Sequence, residues 1–149
     1  TVGRLDEGTT GFLLVTTDGK LVHKITNPKN RIKKTYHIET TKSISIKQID
    51  SLKRGVKIKI NDNGIVEEYI SRPTILTNIR EYSMRLTIDE GKKREIRRMF
   101  ESVGNEVSKL HRISTEKMIL NDYKLKPGEY CEINYEDIER DVFGNIKTV

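Results

Sequence analysis

The sequence predicts an α+β fold with a mixed, largely antiparallel sheet and flanking helices, and three observations lead to that prediction. Several short segments alternate apolar and polar residues, which is the period of a half-buried strand. One later segment instead repeats its apolar residues at helical spacing. Strand and helix segments follow each other in irregular order, which favours a mixed or antiparallel sheet over a regular parallel one. The 149 residues fit one domain around one core.

Strands are predicted where short apolar or alternating segments end at a turn signal. Asn61 to Gly64 is such a signal and indicates a hairpin. The predicted strands, in chain order, cover residues 11–17, 32–40, 56–60, 65–70, 82–88, 107–113 and 130–133. The tail from Glu136 onward is polar and poorly patterned, so no regular element is predicted there.

Three helices are predicted from the spacing of apolar residues. A short one around residues 21–25 ends at Asn27, because the residue before a proline is driven out of helical backbone. A second begins at Ser45 and ends at Gly55, a residue suited to a helix C-terminus. The clearest covers residues 93–103, where apolar residues fall at i, i+3, i+4 and i+7, namely Ile96, Met99, Phe100 and Val103.

Composition narrows the class of protein. The formal net charge of +6 favours a polyanionic partner, although many ordinary proteins are equally basic. No apolar run approaches the roughly 20 residues needed to cross a bilayer, so a soluble protein without a membrane partner is expected. Cys131 is the only cysteine and the first residues lack a signal-peptide pattern, so we expect the cytoplasm as location.

Asp6 is the first candidate for chemistry. It lies in a glycine-rich, polar loop just ahead of an apolar run, and such a loop can present a carboxylate rigidly. An aspartate in a loop is nevertheless more often a turn or capping residue than a catalyst. The local pattern alone therefore does not assign a role to Asp6.

Three ordered segments resemble the motifs of the ribosomal RNA pseudouridine synthases. They are Gly3-Arg4-Leu5-Asp6 with residues 11–19 after it, Lys34-Thr35-Tyr36, and the segment 90–100. The resemblance covers residues 1 to about 135, and it is to the branch of small- and large-subunit enzymes that usually carry an S4 RNA-binding domain. It implies that residues 1–149 are a pseudouridine synthase catalytic domain without its N-terminal part and without the S4 domain.

The resemblance implies isomerisation of a uridine to pseudouridine in ribosomal RNA, and we expect large-subunit RNA as the substrate. It implies that Asp6 is the attacking carboxylate, that Tyr36 stacks on the target base, and that Arg97 is the cation paired with Asp6. The chemistry fits these roles, because a carboxylate that bonds covalently to the substrate splits one difficult step into easier ones. No cofactor is required.

Basic residues around these motifs are candidate contacts to the phosphates of ribosomal RNA. They are Arg4, Lys34, Lys92, Lys93, Arg94, Arg98, Lys109 and Arg112. A second basic cluster comprises Lys29, Arg31, Lys33 and Lys34. The simpler explanation for a basic helix face is that it is merely solvated.

Some expectations concern what the chain lacks. The three histidines are scattered and Cys131 has no partner cysteine, so no metal site is expected. The chain begins two residues ahead of the Gly3 motif, so we expect a missing strand and a dimer formed through the exposed sheet edge. Two alternatives stay open: a catalytically silent RNA-binding fragment, and a structural ribosome-associated protein, which would not need Tyr36 and Arg97 near Asp6.

Overall fold

The computed structural model describes residues 1–144. The helices and strands, in chain order, are β1 (Thr9–Gly11), α1 (Gly19–Thr26), β2 (Lys34–Thr40), α2 (Ile46–Arg54), β3 (Lys57–Asp62), β4 (Ile65–Ile70), β5 (Ile75–Thr77), β6 (Ser83–Ile88), α3 (Glu95–Ser102), β7 (Val107–Thr115), β8 (Met118–Ile119) and α4 (Tyr135–Asp141). Within residues 1–144, no helix has the length and apolar character needed to span a membrane.

Six strands form a mixed, largely antiparallel sheet, which confirms the predicted fold class. The strand order is β1-β7-β2-β6-β5, and β8 pairs with the end of β7. Strand β1 runs parallel to β7, whereas β2 is antiparallel to both of its neighbours, β6 and β7. Strands β3 and β4 form a separate two-stranded hairpin, as the turn signal at 61–64 predicts.

Two apolar clusters hold these elements together. In the first, one face of the sheet packs against α2, α3 and β3, with Ile38, Leu52, Leu86 and Met99 almost fully buried. Burial of each such side chain stabilises the fold by about 1.5–3 kcal/mol. The second cluster joins α1, β8 and α4 and consists of Phe12, Leu21, Ile32, Met118, Ile138, Val142 and Phe143.

The three predicted helices are confirmed, and local capping explains their limits. The Asp18 side chain accepts hydrogen bonds from the first backbone N–H groups of α1. Ser45 and Gln48 form a reciprocal capping box at the start of α2, and Gly55 follows its end with a positive φ of 98°. These signals lie within a few residues of each helix, so they are readable in the sequence.

Three predictions are wrong because tertiary contacts override the local pattern. Residues 12–17 form no strand; β1 is confined to Thr9–Gly11, and Phe12 packs into the second cluster. Residues 130–133 form no strand either. The tail was predicted to contain no regular element, but helix α4 forms there and buries Ile138. Strands β5 and β8 were not predicted, since they have three and two residues.

Candidate active site

An open cleft of about 950 Å³ lies where four segments meet: the loop ahead of β1, strand β2, the connection from β6 to α3, and strand β7. Asp6, Tyr36 and Arg112 all line it. The sheet order explains this meeting, because β7 lies between β1 and β2. An acid, a phenol and a guanidinium from distant parts of the chain therefore share one cavity.

Asp6 is fixed by a tight turn that leads into β1. Its backbone carbonyl accepts a hydrogen bond from the N–H of Thr9 at 2.9 Å, and Gly8 takes a positive φ of 82° within the turn. Its side-chain Oδ2 accepts a hydrogen bond from the backbone N–H of Arg94 at 3.1 Å. One carboxylate oxygen is thus held from outside its own loop.

Arg94 presents that N–H from the residue just before α3. Its φ of 53° is left-handed, a conformation that costs a non-glycine residue about 1–2 kcal/mol. The first N–H groups of a helix lack partners within the helix and carry partial positive charge, so they favour a carboxylate. The left-handed turn at Arg94 and the hydrogen bond to Asp6 are therefore linked features of this site.

Tyr36 lies in the middle of β2 and is half-buried against the first apolar cluster. Burial raises the pKa of Tyr36, and the neighbouring Arg112 guanidinium opposes that rise. The charge of Asp6 acts on the phenol in the same direction as burial. Tyr36 is therefore a neutral phenol at physiological pH, able to donate a hydrogen bond and to present an aromatic face.

Arg112 is 4% exposed and lies in the wall of the cleft, and its contact with an RNA phosphate stays a prediction. Strand β7 alternates its side chains, and Arg112 falls on the same face as Leu110, which also lines the cleft. Its Nε donates to the carbonyl oxygen of Phe12 at 2.7 Å. Arg112 is thus a buried cation beside Tyr36.

The charge of Asp6 acts on Arg97 and favours its protonated form, and the predicted pairing of the two groups stays a prediction. Among residues 1–144 the hydrogen bond of the Arg97 guanidinium is to the loop that carries Asp6: its Nη2 donates to the carbonyl oxygen of Gly8 at 3.1 Å. Its Nε is buried without a hydrogen-bond partner in the described chain. Burial and the charge of Arg94 lower the pKa of Arg97, although a guanidinium stays protonated at any cellular pH. Arg97 thus holds the loop that carries Asp6.

The remaining basic candidates divide into two groups. Five line the cleft, namely Arg4, Lys34, Lys92, Lys93 and Arg94. Arg98 and Lys109 do not line it, and their contact with RNA stays a prediction. Arg98 Nη1 donates to the carbonyl of Lys59 at 2.7 Å and ties α3 to the hairpin, whereas Lys109 lies 3.6 Å from Glu39 on the other side of β7.

The cleft is electrically positive. Lys29 and Arg31, from the second basic cluster, also line it. Lys34 is half-buried, and burial together with the charge of Arg112 lowers its pKa. Positive charge concentrated in a cleft attracts a polyanion and is attenuated by salt.

A polar cluster in the lining of the cleft was not predicted from the sequence. Tyr69, at the end of β4, donates its hydroxyl proton to Glu90, and the backbone N–H of Arg72 donates to Glu90 at 2.9 Å. The Arg72 guanidinium pairs with Asp89 at 2.8 Å. These contacts join a hairpin to a loop about 20 residues later, and no local sequence signal predicts such a pairing.

Residues 1–144 contain no group of three side chains suited to hold a metal ion.

Comparison with known proteins gives consistent relatives. Residues 1–102 match the family model described as RNA pseudouridylate synthase. A ribosomal small subunit pseudouridine synthase A of Vibrio parahaemolyticus is 34% identical over 137 residues, which is 92% of this chain and 57% of the relative. An uncharacterized RNA pseudouridine synthase of Bacillus subtilis, YtzG, is 39% identical over 137 residues, 91% of this chain and 55% of the relative. The chain thus spans a little over half the length of these relatives.

Solved structures agree on the fold. A crystal structure of a pseudouridylate synthase superimposes with a TM-score of 0.82 and 33% identity, over 95% of this chain and 58% of the other. A chain of a Cbf5-Nop10-Gar1 complex superimposes with a TM-score of 0.55 at 15% identity, over 79% of this chain and 40% of the other. At that identity the second likeness concerns the fold alone.

Proposed function

Because the chain belongs to the RNA pseudouridylate synthase family, we propose that it isomerises a uridine to pseudouridine in ribosomal RNA. The observation that carries the proposal is the Asp6 carboxylate, held 3.1 Å from the N–H of Arg94 in a basic cleft shared with Tyr36. Several relatives are named for the small ribosomal subunit. Those names do not support the expectation of large-subunit RNA, so we propose small-subunit RNA instead.

Asp6 acts as the nucleophile in this proposal. The N–H of Arg94 fixes Oδ2, which leaves Oδ1 to attack the sugar or the base. The bond between N1 and the sugar breaks, the base turns, and C5 bonds to the same sugar carbon; a carboxylate bonded to that carbon leaves as the new bond forms, and one bonded to the base is released afterwards. C5 loses its hydrogen as a proton and N1 takes up a proton, so the net change is an isomerisation that needs no oxidant or reductant.

Tyr36 receives the target base. A base stacked in RNA does not expose its reacting atoms, so it must be turned out into the cleft. Stacking on an aromatic ring contributes about 1–3 kcal/mol per base. The neutral phenol can also donate a hydrogen bond to a carbonyl oxygen of the base.

The cations of the cleft have two roles in the proposal. Arg97 holds the carbonyl of Gly8 and so positions the turn that carries Asp6. Phosphates of the RNA bind the residues that rim or line the cleft, namely Arg4, Lys29, Arg31, Lys34, Lys92, Lys93 and Arg94. The cytoplasm as the place of action follows from a ribosomal RNA substrate and is part of the proposal. Dimerisation through a sheet edge stays a prediction.

The test uses unmodified small-subunit and large-subunit ribosomal RNA, incubated with the chain and analysed for pseudouridine after digestion to nucleosides. We expect pseudouridine in the small-subunit RNA only. Asp6→Asn should form none, because an amide is a far weaker nucleophile than a carboxylate. Glu7→Gln, the same change on the exposed neighbouring residue, serves as the matched control and should keep the rate.

Two outcomes would contradict the proposal. One is pseudouridine formation by the Asp6→Asn variant at the rate of the unaltered chain. The other is an unaltered chain that binds the RNA and forms no pseudouridine, which would favour the alternative of a catalytically silent RNA-binding fragment.

A further inference from the structure

Two buried glutamates lie side by side in the lining of the cleft. Glu95 is 3% exposed and Glu90 is 8% exposed, and their side chains are within hydrogen-bonding reach of each other. Glu95 Oε1 accepts the backbone N–H of Lys92 at 2.8 Å, whereas Glu95 Oε2 is buried without a donor in the described chain. An ionised carboxylate only accepts hydrogen bonds, so two carboxylates in contact need a proton between them.

We propose that Glu90 and Glu95 share one proton, and that this acid pair positions Asp6 for attack. The inference rests on the proposed function. Glu95 is in this view a positioning residue, because it acts on the nucleophile through the loop between Glu90 and α3.

The contacts form a continuous path to the nucleophile. Glu95 fixes the N–H of Lys92, and two residues later Arg94 turns left-handed and donates its N–H to Asp6. In the other direction, Glu90 accepts hydrogen bonds from Tyr69 and Arg72 at the end of the hairpin. The shared proton links Glu95, on the side of Asp6, to Glu90, on the side of the hairpin. Without it, two like charges are buried in contact and the loop between them is pushed apart.

The charges around the pair determine which member holds the proton. The titratable groups that face Glu95 are Glu90, Lys34, Tyr36 and Tyr69. Burial raises the pKa of Glu95 to about 8, Glu90 adds to the rise, and Lys34 opposes it. Burial also pushes the pKa of Glu90 upward, but hydrogen bonds from Glu95, Tyr69 and Arg72 outweigh it and lower that pKa. The proton therefore resides on Glu95.

The first arm of the test compares pH profiles of turnover. Between pH 7 and pH 9 the unaltered chain should slow by about tenfold, as expected for loss of one proton near pH 8. Glu95→Gln should remain active with a flatter profile, because its amide still donates to Glu90 and accepts from Lys92. Glu106→Gln, an exposed control, should keep the profile of the unaltered chain. Identical profiles for Glu95→Gln and the unaltered chain, or a folded but inactive Glu95→Gln, would overturn the inference.

The second arm measures stability and needs no activity. The pKa of Glu95 is raised in the folded state, so its contribution is fully present below the unfolded pKa of about 4.5 and is lost as pH rises to about 8. The unfolding free energy of the unaltered chain relative to Glu95→Gln should therefore fall between about pH 5 and pH 8 and then level off. A difference that does not change with pH would contradict the shared proton. If the unaltered chain shows no turnover, the proposed function fails and this arm alone decides the inference.

Discussion

At the scale of single residues, the site depends on how three charged or polar groups are held. Asp6 has one oxygen bonded to the N–H of Arg94, Arg97 holds the carbonyl of Gly8, and Arg112 holds the carbonyl of Phe12. Each cation thus fixes backbone of the N-terminal segment. The guanidinium groups therefore maintain the shape of the loop around the nucleophile.

Arg112→Lys tests this role directly. Lysine keeps the charge but lacks the planar fork that reaches the Phe12 carbonyl, so we expect a loss of about 2 kcal/mol in the free energy of unfolding. Turnover should fall as well, because the turned segment ahead of β1 is less well fixed. Urea unfolding measures the first effect. Arg85→Lys, at an exposed position of β6, is the matched control. Equal stability of the two variants would refute a structural role for Arg112.

The sequence indicated which residues belong to the site better than it indicated how buried they are and what they contact. The resemblance alone pointed to Asp6 and Tyr36, and both line the cleft. Arg112 was one of several candidate phosphate contacts, and its burial was not predicted. The alternation along a strand tells which face of the sheet a side chain lies on, but not whether other elements cover that face. The buried Glu90 and Glu95 gave no signal, since their partners lie on a hairpin and on an adjacent loop.

At the scale of elements, the parallel pairing of β1 with β7 brings the acid to the sheet. Gly11 lies opposite Arg112 in that pairing, and its backbone has a φ of +110°. A Cβ there would lie 2.2 Å from the carbonyl oxygen of Arg112. The close approach of the two strands therefore requires glycine.

Gly11→Ala should destabilise the fold by about 3 kcal/mol or more, because a backbone clash adds to the cost of a positive φ. Gly64→Ala is the control: it has a φ of +84° but open space around the added carbon, so its cost should stay near 1 kcal/mol. Denaturant unfolding of both variants separates the clash from the conformational cost. Similar losses for both would contradict the close approach of β1 and β7.

Helix α4 shows why some elements escaped prediction. It has seven residues, and most of them are polar, so its sequence carries no full apolar stripe. Its stability comes from the second apolar cluster, in which Ile138 is 6% exposed. Helices α1 and α2 combine local caps with spaced apolar residues, whereas α4 has a local cap at Asn134 but its apolar contacts are with partners far along the chain.

Ile138→Ala should lower the free energy of unfolding by about 2–4 kcal/mol, since it leaves a cavity between α4 and α1. Tyr130→Ala, at a residue that is 88% exposed, is the control and should change stability by less than about 0.5 kcal/mol. Thermal or urea unfolding provides the measurement. An Ile138 variant as stable as the control would mean that α4 does not pack as described.

At the scale of the whole molecule, the excess of positive charge is concentrated where the substrate is proposed to bind. The net charge is +6, and eight basic side chains line the cleft in addition to Arg112. Composition alone predicted a polyanionic partner without saying where it binds. The location became evident only from the fold, because these residues come from both halves of the chain.

RNA affinity should therefore fall with salt and depend on cleft cations. Lys93→Gln should weaken binding to any RNA sequence and reduce the slope of log affinity against log salt by about 0.7, the value for one phosphate contact on a single strand. Lys47→Gln, an exposed lysine on α2 outside the cleft, is the control and should leave the slope unchanged. Equal slopes for the two variants would place the RNA elsewhere.

The most direct test of the account is tritium release from small-subunit ribosomal RNA labelled at C5 of uridine. Each isomerisation replaces the bond from C5 to hydrogen by a bond to the sugar, so one tritium is released per product. We expect release by the unaltered chain and none above background by Asp6→Asn, with RNA affinity preserved within about threefold because a carboxylate makes no attractive contact with a phosphate. Release by Asp6→Asn at the rate of the unaltered chain would contradict the account.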